Sequence, residues 1–267
     1  MFDILLARWK QGHRTMRYPD GPPPELPERF VGRPTLDAAK CKADCRRCVA
    51  VCPTGAIAFD KNNRQPQLDI GRCLFCRECT TVCAPGAIAF SRDYRLAASR
   101  RDDLLVRSNA QKAAIALSAA SRKLFGRSLR LRQVSAGGCN ACEADTNVLG
   151  TPAWDLSRFG IQFVASPRHA DGLLITGPVT ENMRSALLKT YEAVPSPKLV
   201  IAVGACAISG GPYVDHPETH NGATTLLPVD LFVPGCPPHP LTILDGLLAL
   251  LGRIAEPANG ARASRPL

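Results

Sequence analysis

The stretch Cys73-Leu-Phe-Cys76-Arg-Glu-Cys79-Thr-Thr-Val-Cys83-Ala-Pro-Gly86-Ala-Ile-Ala-Phe90 is a second copy of one that opens at Cys41. Gly86-Ala87-Ile88-Ala89-Phe90 echoes Gly55-Ala56-Ile57-Ala58-Phe59 at an offset of 31 residues, and Cys76, Cys79 and Cys83 keep that offset from Cys45, Cys48 and Cys52. Only the first cysteine breaks the period, because Cys41-x3-Cys45 holds one residue more than Cys73-x2-Cys76. Of the 12 cysteines, these halves take eight; Cys139, Cys142, Cys206 and Cys236 form a third set, and none is left over.

Four thiolates hold one [4Fe-4S] cluster, and the spacing of the repeat is the bacterial ferredoxin run, whose fourth cysteine ligates the other cluster. Two-residue gaps wrap three sulfurs around one cube, and the fourth is aimed at its neighbour. Cys41, Cys45, Cys48 and Cys83 are thus expected at one cluster, and Cys73, Cys76, Cys79 and Cys52 at its twin. Pro53 stops the chain from continuing helically; in the second half the proline comes one place later, at Pro85. Zinc would use four cysteines but leaves eight at this spacing unexplained. Disulfides would require an oxidising compartment. No export signal or run of about 18 apolar residues is present, so the expected location is cytoplasmic.

Downstream the pattern alternates. Strands are expected over 128–134, 161–165, 172–176, 198–203 and 229–233, and helices over 181–193 and 241–253, which predicts a mostly parallel sheet covered by helices. Ligands of such sheets sit beyond the carboxyl ends of the strands. Cys139 and Cys142 follow the first strand, Cys206 the fourth and Cys236 the fifth, so the third set converges on one edge. A thioredoxin-type pair at Cys139 and Cys142 would leave Cys206 and Cys236 without a role. Gly137, Gly138, Gly204, Gly210, Gly211 and Gly235 let backbone approach a bulky group.

The divisions expected are residues 1–36, an amphipathic helix and proline-rich strap; 37–101, a two-cluster ferredoxin-like domain; 102–127, a linker helix; and 128–267, a flavodoxin-like α/β domain. Within 2–17, Phe2, Ile4, Leu5, Leu6 and Trp9 beside Arg8, Lys10, Arg14 and Arg17 have the composition of a surface-lying anchor or of a helix packed on a partner. Six prolines between 19 and 34 argue for an extended strap rather than packed structure. The alanine-rich segment 102–125 reads as one helix.

The 267 residues carry a formal net charge of +10. Each oxidised cluster with its four thiolates adds about −2, which brings the holo-protein nearer +4. Aromatic content of 6% argues against a nucleic-acid groove. Clusters at Arg100-Arg101, Arg122-Lys123 and 127–132 suit anionic lipid, an acidic partner or a plain solvated face.

Several motifs carry a family resemblance. Gly137-Gly-Cys-Asn-Ala-Cys-Glu143, Ser166-Pro-Arg-His-Ala-Asp171, Gly204-Ala-Cys-Ala-Ile-Ser-Gly-Gly211 and Pro228-Val-Asp-Leu-Phe-Val-Pro-Gly-Cys-Pro-Pro-His-Pro240 resemble the small subunit of energy-converting [NiFe] hydrogenases, the formate hydrogenlyase type above all. All but the first also resemble the 20 kDa subunit of respiratory complex I. Tyr18-Pro19, Phe30-x-Gly32 and the run from Ile70 to Leu96 resemble the two-cluster ferredoxin subunit of the same assemblies, here in one polypeptide with the other. The complex I subunit has adjacent cysteines at its first ligand pair, whereas Cys139-x2-Cys142 has the hydrogenase spacing.

The resemblance implies three [4Fe-4S] clusters and an electron-transfer subunit without a self-sufficient active site, peripheral on the inner face of the cytoplasmic membrane. Implied partners are a [NiFe] hydrogenase-type or complex I 49 kDa-type large subunit, membrane subunits of the same complex, and a ferredoxin or formate dehydrogenase-type donor, with no nucleic acid. Electrons would pass from the ferredoxin-type clusters to the third, proximal one. Near it, Glu143 is expected to assist proton movement or cap a helix, and Arg168 and His169 to line the cluster. His216, His220 and His239 read as loop residues.

Overall fold

In a computed structural model, residues 2–12, 14–42, 44–60, 65–107 and 117–254 are described. The carboxyl-terminal half is a five-stranded sheet of β6 (Leu129–Ser135), β7 (Ile161–Phe163), β8 (Gly172–Thr176), β9 (Leu199–Val203) and β10 (Leu231–Val233). Every pairing in it is parallel, in the order β10-β9-β8-β6-β7. Counted within the domain this is 2-1-3-4-5, the flavodoxin-like order, whose switch point lies between the first and third strands. All residues of β8 and β9 are buried, as expected for central parallel strands covered on both faces. Helix α8 (Pro240–Leu250) is buried along ten of its eleven residues, packed against β10 and the ferredoxin unit: a Cβ at Gly246 would lie 2.8 Å from Ala97 Cβ. Helix α6 (Glu181–Ala193) buries only Leu187.

The amino-terminal unit is built from two small antiparallel sheets. β1 (Pro34–Leu36) pairs with β4 (Ile88–Phe90), and β2 (Ile57–Phe59) pairs with β3 (Pro66–Asp69), which also takes β5 (Leu105–Val106). The repeated Ile-Ala-Phe segments are thus β2 and β4. Each follows a short helix, α2 (Arg47–Val51) or α3 (Glu78–Thr81), which buries one cysteine, Cys48 or Cys79.

The units share a core. Leu36, Leu68, Ile70 and Leu104 pack with Ala207, Ile208 and Phe232 in one buried cluster. Ala98 and Phe232 exchange backbone hydrogen bonds of 3.0 and 2.8 Å across the β10 edge, and Ser209 Oγ donates to the Gly71 carbonyl at 2.9 Å.

Two expectations are corrected. The segment 102–125 is not one helix: Arg101–Leu104 is a 3₁₀ turn and Leu105–Val106 a strand, with Leu104 and Val106 buried in the ferredoxin core, so strand pairing overrides helix propensity there. Residues 108–116 of that expected helix lie outside the described residues, and only α4 (Ala119–Phe125) is helical beyond them. The strap, expected to be extended rather than packed, turns at 18–20 and 28–29 and packs on the fold. Met16 N donates to Ala153 O, Arg158 donates to the carbonyls of Met16 and Tyr18, and Tyr18 Oη donates to Asp245 Oδ1 at 2.5 Å in the core. The far end of the strap donates from Gly32 and Arg33 to Ser91 and Asp93 and becomes β1.

At the start of the chain, α1 (Phe2–Gln11) buries no residue, and Phe2 and Trp9 are 84% and 82% exposed. No helix among the described residues is long and apolar enough to cross a membrane.

Candidate iron–sulfur sites

Twelve free thiols fall into three neighbourhoods. The charges that act on Cys41 are those of Cys83, Cys45 and Arg46, and on Cys48 those of Cys41 and Cys83. Cys73 feels Cys79, Cys52 and Cys76. Cys142 and Cys206 feel each other, Cys236 and Cys139. The fourth cysteine of each repeat therefore sits with the other repeat's first three. Two contacts join the sets: α2, which carries Cys48, packs on α3, which carries Cys79, and Leu74 and Phe75, next to Cys76, line one cavity with Cys236. The second set lies between the first and the third.

The second neighbourhood surrounds a small cavity lined by Cys52, Cys73, Cys76 and Cys79, with Ile57 and Leu68 on its apolar wall. Backbone donors point at the sulfurs: Ala56 N to Cys52 Sγ at 3.2 Å and Phe75 N to Cys73 Sγ at 3.3 Å. The loop is tight enough that Phe75 and Arg77 take positive φ, 56° and 68°, a cost tolerated where surroundings hold the turn. Burial first, then neighbouring thiolates, push Cys73 up to about 12 and Cys79 to about 11. Thiols so placed ionise together only around a cationic centre. The donor set fits an iron–sulfur cluster.

At the third neighbourhood the cysteines sit where strands end. Cys139 follows β6 and Cys142 lies in α5 (Ala141–Val148), Cys206 opens α7 (Ala205–Ser209) after β9, and Cys236 follows β10. Two glycines are required by close approach. Gly204, at φ +91°, would place a Cβ 2.5 Å from Cys142 Sγ, and Gly211, at φ +55°, one 2.8 Å from Cys206 Sγ. Burial pushes Cys206 up to about 12 and Cys142 higher still, with Cys206, Glu143 and Cys236 adding to the effect on Cys142.

Glu143 is 5% exposed in the first turn of α5. Its Oε1 accepts from Ser135 Oγ and Thr176 Oγ1, both at 2.6 Å, so the carboxylate ties together the carboxyl ends of β6 and β8 at the switch point. Arg168 and His169 do not join this site. They are exposed in a 3₁₀ turn, and Asp171, two residues on, is hydrogen-bonded both ways to Arg130 at the start of β6, whereas the cysteines follow the strand ends. The short β7 reaches only to Leu131 before the chain turns back. His239 is more than a loop residue: its Nδ1 accepts from Leu241 N and caps α8, and its ring meets Phe30 and Trp154 edge-on. His216 and His220 remain in loops, His220 against Glu181.

Residues 139–250 match the family described as NADH ubiquinone oxidoreductase, 20 Kd subunit, and residues 40–87 match a 4Fe-4S dicluster domain. A probable membrane-bound hydrogenase subunit of Pyrococcus furiosus is 44% identical over 52% of this chain and 83% of its own length. Formate hydrogenlyase subunit 7 of Escherichia coli is 42% identical over 52% of this chain and 55% of its own. An NADH-quinone oxidoreductase subunit of Carboxydothermus hydrogenoformans is 46% identical over 45% of this chain and 73% of its own. The chain is an iron–sulfur protein that belongs to the NADH ubiquinone oxidoreductase 20 kDa subunit family, with a 4Fe-4S dicluster domain ahead of the family's own domain.

Proposed function

We propose that the chain is the electron-transfer subunit of a membrane-associated, energy-converting [NiFe] hydrogenase of formate hydrogenlyase type. Cys41, Cys45, Cys48 and Cys83 would hold one [4Fe-4S] cluster, Cys73, Cys76, Cys79 and Cys52 a second, and Cys139, Cys142, Cys206 and Cys236 a third. A bound cluster of this kind takes up and gives up one electron. The single observation that carries the reading is the linear order of the cysteine sets: α2 with Cys48 packs on α3 with Cys79, and Leu74 and Phe75, next to Cys76, line one cavity with Cys236. An ordered line of three sites joins a donor side to a large subunit docked at the exposed Cys139 and Cys236.

The chain's own residues hold and shape these sites. Ala56 and Phe75 N–H groups stabilise negative charge on Cys52 and Cys73, and Gly204 and Gly211 make room at the third set. Because both units are parts of one core, the donor-side sites are held in place rather than recruited by diffusion. The exposed apolar residues of α1, beside Arg8 and Lys10, support a peripheral position on the membrane's inner face.

The second reading is the equivalent subunit of a complex I-like quinone oxidoreductase with a 49 kDa-type large subunit, favoured by the 46% identity to the NADH-quinone oxidoreductase relative. Purification of the intact complex separates the two. Nickel in the co-purifying large subunit, with hydrogen evolved from a reduced ferredoxin or from formate oxidation, is the expected result. A nickel-free complex that reduces quinone would overturn the hydrogenase reading.

A further inference from the structure

Two consecutive carbonyls in the turn that leads into Cys73 are each held by a buried hydroxyl, and the two hydroxyls come from different parts of the chain. Thr54 Oγ1 donates to Arg72 O at 2.8 Å, and Ser209 Oγ donates to Gly71 O at 2.9 Å. Thr54 is 4% exposed and follows Cys52 by two residues, with its Oγ1 3.9 Å from Cys52 Sγ. Ser209 is 9% exposed and ends α7, the helix that carries Cys206. A ligand segment of the second set and one of the third are thus tied to the same corner.

The corner itself is stiff. Gly71 N donates to Asp69 Oδ1 at 2.9 Å, Arg72 N and Cys73 N both donate to Asp69 O at 3.1 Å, and the Arg101 guanidinium closes on both carboxylate oxygens of Asp69. It is also wedged between the units: a Cβ at Gly71 would lie 2.8 Å from Leu104 Cδ1 and 2.9 Å from Ile208 Cγ2, the residue before Ser209. The other half of the repeat lacks this device, because at offset 31 from Thr54 stands Pro85, which has no hydroxyl. The ferredoxin run therefore does not need the hydroxyl for itself. It stands in the half whose fourth cysteine joins the set next to the α/β domain.

We propose that the Gly71-Arg72 corner is the spacer that fixes the distance between the second and third iron–sulfur sites, with Thr54 and Ser209 as its positioning residues. This spacer role rests on the three-cluster reading above and names the side chains that set one gap in the line. Burial of aliphatic side chains is non-directional and holds two units together without fixing their register. Hydrogen bonds to carbonyls are directional and do fix it. Electron tunnelling and magnetic coupling between clusters both fall steeply with separation, so register is what the line depends on. Loss of one hydroxyl should raise the population of displaced corners by about two- to tenfold, the net contribution of a neutral hydrogen bond.

The test uses the full chain, purified without oxygen and with its iron content measured. The variants are Ser209→Ala, Thr54→Val, the two together, and Thr54→Ser, which keeps the hydroxyl. Electron paramagnetic resonance of the fully reduced chain reads the broadening that the second and third clusters impose on each other, and urea unfolding reads stability. In the double variant this broadening should shrink while iron stays at about twelve per chain; Thr54→Ser should match the native chain. Hydroxyls with a merely structural role would lower the unfolding midpoint and leave the broadening at its native value, which would overturn the proposal. If the double variant loses iron, Ser209→Ala alone decides, because the Ser209 hydroxyl bonds only to backbone carbonyls, at Gly71 and Ala205. Native broadening in that single variant would overturn the proposal as well. A native chain with full iron content and no interaction between its second and third signals would count instead against the line of clusters itself.

Discussion

Replacing Tyr18 by phenylalanine tests how the strap locks the two units into one body. Tyr18 Oη donates to Asp245 Oδ1 at 2.5 Å, and Asp245 is only 8% exposed in the middle of α8. The phenylalanine ring fills nearly the same space, so the change removes the hydroxyl and with it the hydrogen bonds to Asp245 and Tyr94. A hydrogen bond to a charged group contributes about 1.5–3 kcal/mol, which corresponds to a fall of roughly 3–12 °C in unfolding midpoint for a chain of this size. The pH dependence gives a second signature. Burial first, and then the charge of Asp245, push the phenol far above its usual value. A group whose pKa is raised on folding gives stability that is whole below its unfolded value and declines as pH rises past it. Tyr18 ionises in the unfolded chain near pH 10, so above that the native chain's advantage over the variant should shrink by about 1.4 kcal/mol per pH unit. Urea unfolding of the anaerobic holo-chain at pH 7 and at several values above 10 reads both quantities. A stability difference below about 0.5 kcal/mol at pH 7, or a difference that stays flat above pH 10, would refute the reasoning.

Other outcomes follow from the same geometry. Gly204→Ala puts a side chain on backbone at φ +91° and ψ 157°, a region essentially reserved for glycine, at a cost of about 1–3 kcal/mol, and drives a methyl group onto Cys142 Sγ; iron content should drop by about four per chain, with the dicluster unit keeping its own. Glu143→Ala strands the hydroxyls of Ser135 and Thr176 and should cost about 1–3 kcal/mol, whereas Glu143→Gln keeps the Oε1 that accepts from both and should cost less. Full electron transfer in the glutamine variant would assign Glu143 to structure, and its loss with native stability would assign it to proton movement. Replacing Leu5 and Trp9 of α1 together by serine should abolish sedimentation with anionic vesicles while leaving the unfolding midpoint within a degree or so, because neither side chain packs on the fold.

Much of this molecule is readable from residue order, for identifiable reasons. The strands of the α/β domain lie close to where apolar, β-branched runs put them, because β8 and β9 are buried on both faces and leave no other reading of Gly172–Thr176 and Leu199–Val203. Exchange of fourth cysteines between repeats follows from spacing, since a tight loop closes on only three corners of a cube. What stays hidden is set by contacts distant in sequence. Leu104 and Val106 look like part of an alanine-rich helix until β3 offers an edge to pair with. Nothing in the spacing of Tyr18 and Asp245, 227 residues apart, announces that they meet. Arg168 and His169 follow the short β7, and the point at which the chain turns back places them away from the strand ends; a pattern of apolar residues does not fix that point. The approach of the loop at Leu74 and Phe75 to Cys236, which orders the sets, depends on how two units dock.

The central claim is that three iron–sulfur clusters occupy three cysteine quartets in line. Iron and acid-labile sulfide assay with electron paramagnetic resonance, on one oxygen-free preparation reduced in steps, tests it most directly. The account predicts about twelve irons and twelve sulfides per chain, with the signal of the second cluster broadened by both neighbours. Zinc in place of iron, or about eight irons with Cys139, Cys142, Cys206 and Cys236 open to alkylation, would contradict it.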